Sequence, residues 1–194
     1  MSSQGIETSL SPDDFQELKG VIKEFLSKYR YLYEFRVQKL VFYAEVYAID
    51  NYERRLTDAS WKPYIYGSFS EDVRVAVREL DVPTQTVYRN GDETTKYLNK
   101  GLSGQHLGND AKREILDRVH QRTRNQSTQE LAQFSKNHWL FEHTDYESVM
   151  SFERYLDYIQ DVNEDDRSLF DQDHPEISGD CLVQINTETS PTPE

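Results

Sequence analysis

His138 and His143, with His120 further upstream, are the side chains of this sequence most suited by type to hold a metal. A spacing of five does not bring two rings onto one helical face, as i, i+4 would. Packing or surface histidines are the expected outcome. Asp171, Asp173 and His174 group ligand types a second time, in a stretch expected to be too loose to preorganise a site. The patterns GxxxxGK[ST], GxGxxG, HExxH and GxSxG are absent. Cys181 is the one cysteine, which excludes an intrachain disulfide and a cysteine-based zinc site. No catalytic residue, metal site or cofactor is assigned, and the chain reads as a non-enzyme.

Recognition chemistry is better represented. Thirteen Tyr, nine Phe and two Trp make up 12% of the chain and crowd into Tyr29–Tyr52 and Trp61–Phe69. Such rings build a core when turned inward and a protein-binding face when turned outward. Pro63 and Gly67 keep the second cluster out of a regular helix, so Trp61, Tyr64 and Tyr66 are expected on a loop-like segment. With Phe69 and Trp139 they are the candidate partner-binding residues. The competing expectation is that these rings fold back and cap the core. A different chemistry is open to residues 114–135, where two helical patterns flank Asn125–Gln126 and Arg113, Arg118, Arg122 and Arg124 add charge. That arrangement resembles a helix-turn-helix and makes a DNA-binding regulator the alternative function. The net charge of −13 counts against it, because phosphate attraction dominates nucleic-acid binding.

The elements that must position these residues follow from periodicity. Ser11-Pro12-Asp13-Asp14 is a helix start, followed by an apolar stripe from Phe15 to Tyr29. About Glu34 to Asp50 a helix is apolar nearly all round, which places it at the centre of the domain. Ser70 caps a helix that Pro83 stops. Thr84–Arg89 and Asp92–Tyr97 flank Asn90-Gly91, a type I′ hairpin signal. Ser127 with Glu130, and Thr144 with Glu147, read as capping boxes of later helices. No apolar run reaches the ~18 residues of a membrane span, and no signal-peptide pattern opens the chain. A cytoplasmic protein is expected. From Asp161 the chain carries ten acids against one base and loses its periodicity. The reading is therefore a mainly α, compact single-domain bundle of five or six helices with a small β-hairpin. Residues 1–10 form a flexible N-terminus, 11–160 the domain, and 161–194 an acidic, largely disordered tail.

Val37-Gln38-Lys39-Leu40-Val41-Phe42-Tyr43-Ala44 resembles the (L/V)QKLLYYA helix of the Panacea domain, the SocA-like antitoxin family. Tyr66-Gly67-Ser68-Phe69, with Ser70, is similar to that family's YGxxS form of turn; Ser68 stands where many members have proline. Glu114–Asp117 and Ser127-Thr128-Gln129-Glu130-Leu131-Ala132 resemble its later segments, and Trp139 supplies the tryptophan that follows. Gln38, Lys39, Leu40, Tyr43, Tyr66, Gly67, Ser70, Glu130 and Leu131 are the motif positions. The resemblance spans about Val21 to Tyr155. It implies a helical antitoxin domain that neutralises a protein toxin by direct binding, in its namesake type as an adaptor to an ATP-dependent protease.

Overall fold

A computed structural model of the chain describes residues 8–102 and 106–186. Helix α1 (Pro12–Ser27) opens on Ser11, whose side chain accepts the Asp14 N–H. Strand β1 (Tyr31–Tyr33) leads into α2 (Glu34–Tyr52), in which every residue from Val37 to Asp50 is buried. A helix apolar on all sides can be covered only by neighbours on all sides, and α1, α3 (Glu71–Arg78), α4 (Asp110–Thr123) and α5 (Thr128–Asn137) pack round it. Short strands β2 (Lys62–Tyr64) and β3 (Gly67–Phe69) pair with each other, and β4 (Thr84–Arg89) pairs with β5 (Asp92–Leu98). Helices α6 (Trp139–Glu142) and α7 (Phe152–Asp161) complete the order.

The expectation of a mainly α bundle with one small hairpin is overturned. Among the described residues there are seven α-helices, a three-stranded antiparallel sheet ordered β1-β5-β4, and the two-stranded β2–β3 sheet, making the fold mixed α/β. The hairpin itself turns at Asn90-Gly91, both at positive φ, with Arg89 opposite Asp92. Its second strand also recruits Tyr31–Tyr33 in the register Leu32↔Tyr97, burying both side chains. Ser127 and Glu130 form the expected reciprocal box at α5. Thr144 and Glu147 do not: Thr144 donates to the Leu140 carbonyl, and Ser151 caps α7.

Over the described residues, the segment after Asp161, expected to be a largely disordered tail, packs against the body. Leu169 and Leu182 are buried, and Arg55 and Val183 exchange two 2.9 Å backbone hydrogen bonds. Asn51 donates to the Leu169 carbonyl and accepts the Asp171 N–H. Asp171 accepts from the Tyr47 hydroxyl at 2.9 Å and pairs with Arg118 at 3.2 Å and Arg122 at 3.5 Å. The segment is a strap across α2 and α4. Of the N-terminus expected to be flexible, residues 1–7 lie outside the described residues, as does the tail beyond Asn186; Ser9 bonds to Asp72.

The strap meets a buried polar chain. The Leu140 N–H donates to His138 Nδ1, so Nε2 carries the proton towards the Tyr155 hydroxyl at 3.2 Å. Tyr155 in turn donates to Asp50 Oδ1 at 2.6 Å, and the Leu169 N–H donates to Oδ2 at 2.7 Å. Burial lowers His138 from 6.5 to about 3. Burial also pushes Asp50 up from 3.8 to about 6, against the opposing pull of Tyr155, Leu169, Arg167 and Arg122. The signs differ. Folded His138 resists protonation, so its contribution to stability is present above pH 6.5 and is lost as pH falls. Asp50 favours its neutral form when folded, so its contribution is present below about pH 4 and is lost as pH rises through 6. Between pH 4 and 6 the two oppose each other. Asp50→Asn removes one side of the balance. The variant should lose stability relative to the native chain on going from pH 6 to pH 4, by on the order of 1 kcal/mol per pH unit. Urea unfolding at pH 4, 5 and 6 reads that difference, and parallel profiles would refute it.

Candidate functional site

Residues 35, 38 and 39 lie on one side of α2, since i+3 and i+4 share a helical face. Gln38 is turned inward and clamps the strand end: its side chain donates to the Ser70 carbonyl at 2.8 Å and accepts the Ser70 N–H at 2.9 Å. Lys39 donates to the Ser68 carbonyl at 2.6 Å. From the other side, the Ser135 hydroxyl of α5 accepts the Ser68 N–H at 3.1 Å and donates to Ala132. Three side chains from two helices therefore satisfy the backbone of Ser68 and Ser70, and the β2–β3 turn is held against α2 and α5. Gly67 makes this possible. Its φ is +99°, and a Cβ there would stand 2.2 Å from Ser135 Oγ.

Beyond this clamp the turn projects Tyr64, Ile65 and Tyr66. Tyr64 is 38% exposed and Tyr66 60%, while Phe35 on α2 is 40% exposed. Phe35 meets Tyr66 edge-on at 6.0 Å, and Tyr64 contacts Phe69 at 5.5 Å and stacks on Tyr146 at 6.3 Å. Phe35, Lys39, Tyr64, Tyr66 and Phe69, with Thr94 of β5, line an open pocket of about 270 Å³. Lys39 forms its floor and is only 3% exposed. Burial, with repulsion from Lys136, lowers its amine from 10.5 to about 7. The arrangement suits capture of an apolar group, with one amine donor at the bottom.

The five candidate partner-binding residues separate. Tyr64, Tyr66 and Phe69 converge on the pocket. Trp61 does not: it is 1% exposed and packs edge-on against Phe42 in the core. Its neighbourhood in sequence suggested display, but the backbone of Trp61 accepts the Met150 N–H and turns the ring inward. Trp139 lies apart from the pocket, stacked between His143 at 4.3 Å and Tyr158 at 5.0 Å. Among the motif positions, Gln38, Lys39, Gly67 and Ser70 build the clamp. Leu40, Tyr43 and Leu131 are core residues, and exposed Glu130 caps α5. The reading of the sequence missed Phe35, Thr94 and Tyr146. Phe35 was accessible to it, three and four positions before Gln38 and Lys39; the other two arrive from distant segments.

Of the four arginines around the 114–135 hairpin, three are paired within the chain and Arg124 is exposed. Arg118 and Arg122 share Asp171 of the strap, and Arg113 pairs with Asp110. No described helix is long and apolar enough to cross a membrane. A family model described as Antitoxin SocA-like, Panacea domain, matches residues 37–140, more than half of the chain. No curated protein and no solved structure matches it.

Proposed function

Because the chain belongs to the SocA-like Panacea antitoxin family, we propose that it neutralises a partner toxin by binding it directly, through the face formed by Phe35, Tyr64, Ile65 and Tyr66. Membership of an antitoxin family points to a non-enzymatic role. The observation that carries the reading is the rigid clamp: buried groups from α2 and α5 fix a turn whose own rings stay exposed. Large rings held in place in the free protein lose little freedom on binding, which favours affinity. A toxin partner follows from the family in general; this face, and direct masking of the toxin, are our reading. The adaptor role implied by the namesake type would add protease-dependent loss of the toxin, so toxin half-life in cells separates the two mechanisms.

The test is paired. Tyr66→Ala truncates an exposed ring, so its melting temperature should stay within a few degrees of the native chain. At an aromatic hot spot the same change costs at least ~2 kcal/mol of binding, roughly thirtyfold in Kd. Co-expression with the product of the neighbouring reading frame, scored by growth, should show lost rescue. Rescue by Tyr66→Ala at native strength would place the toxin elsewhere. Trp61→Ala serves as the contrast, failing only through loss of stability.

A further inference from the structure

Building on that reading, we propose that the partner seats an Asp or Glu side chain in the pocket beside an apolar residue, with the carboxylate on Lys39 Nζ. Buried charges in proteins are ordinarily paired, and this chain follows the rule elsewhere. Lys112, equally buried, bonds to Glu17 and to the Leu56 carbonyl. Arg55 meets Glu45, and Arg167 meets Glu53. Lys39 is different. Among the described residues its amine makes one hydrogen bond, to the neutral Ser68 carbonyl, lies 5.1 Å from the centre of the Phe35 ring, and makes no ion pair. Glu34 lines the same pocket but pairs with Arg78 at 3.3 Å. The charge that acts on it is Lys136, of the same sign.

An ammonium carries three donors, so Lys39 keeps two for an incoming acceptor at the floor of an aromatic cup. A purely apolar ligand would cover the rings and seal this amine away unpaired. A carboxylate next to an apolar group satisfies both surfaces at once, and draws Lys39 to its protonated form. The chain's charge of −13 disfavours an extended acidic partner, so the anion is a single seated carboxylate within a surface that is otherwise neutral or basic.

Isosteric peptide probes test this on the full chain. Acetyl-Phe-Glu-amide and acetyl-Phe-Gln-amide would be titrated into ¹⁵N-labelled protein and followed by NMR. The glutamate peptide should bind at least tenfold more tightly, shifting the amides of Phe35, Lys39 and Tyr66. The preference should fade from pH 6 to pH 9 as the amine loses its proton. The titratable groups around that amine are Glu34 of α2, Tyr64 and Tyr66 of the β2–β3 turn, and Lys136 of α5. Lys39→Met should bind both peptides alike; if it does not fold, the native chain's Glu-over-Gln preference decides alone. Equal affinity in the native chain, binding of neither peptide, or shifts confined to another surface would overturn the proposal. Toxin rescue separates this proposal from the one beneath it. Rescue kept by Lys39→Gln but lost in Tyr66→Ala removes the carboxylate alone, whereas rescue kept by Tyr66→Ala removes the face.

Discussion

A chain ending at Asp161 should melt at least about 8 °C below the full-length protein. Leu169 and Leu182 are buried in the strap, and each buried leucine contributes roughly 1.5–3 kcal/mol. Asp50 would also lose the Leu169 N–H and the strap's Arg167, which donates to the Asp50 carbonyl at 3.0 Å. Leaving a buried acceptor short of a donor costs about 1–3 kcal/mol. The sum is at least ~4 kcal/mol, from a stability that for domains is typically about 5–15 kcal/mol. At roughly 2–4 °C per kcal/mol for a chain of this size, the shift is large. Calorimetry on the truncated chain measures it directly. Leu169→Ala in the full chain separates packing from chain removal and should cost ~2–5 kcal/mol by itself. Unchanged melting in both would show that the strap contributes nothing to the fold.

Gly67→Ala should cost ~2–6 kcal/mol and abolish partner binding with it. Two effects add. A non-glycine residue at φ +99° carries backbone strain of about 1–3 kcal/mol. The new methyl would also displace Ser135 Oγ, stripping the buried Ser68 N–H of its acceptor, a further ~1–3 kcal/mol. Gly91 calibrates the first effect, because its φ is +90° and a Cβ there meets nothing within 4 Å. Gly91→Ala should therefore show the backbone share alone. Denaturant unfolding of the two variants gives the difference, and equal losses would mean that Ser135 yields freely and the clamp is soft.

What could be read from the sequence was what neighbouring residues decide. Ser11-Pro12 started α1, Asn90-Gly91 turned a hairpin, and Ser127 with Glu130 capped α5, each within a span of four residues. The all-round apolar pattern of α2 placed it at the centre. Contacts between distant segments left no such trace. Tyr31–Tyr33 is three residues long and becomes a strand only because β5 lies beside it. The strap's two buried leucines stand thirteen positions apart among acids, with no period to reveal them, and the acids that suggested disorder include Asp171, which anchors it. In the candidate site, Tyr64 and Tyr66 were expected from aromatic crowding on a segment broken by Pro63 and Gly67. The same argument misplaced Trp61. Composition marks a ring-rich stretch, but the alternation of β2 decides which rings face inward.

The pairing of Arg55 with Val183 joins residues 128 positions apart, and Asp50 waits for Leu169 across 119. Loop closure over such separations is entropically unfavourable until the rest of the fold is formed. During synthesis the helices around α2 emerge first, with the Asp50–Tyr155–His138 chain open at one end. The fold is closed by a segment that follows, in chain order, every helix it seals. Until the strap docks, the chain presents an unsealed core seam to proteases, and the strapped fold does not.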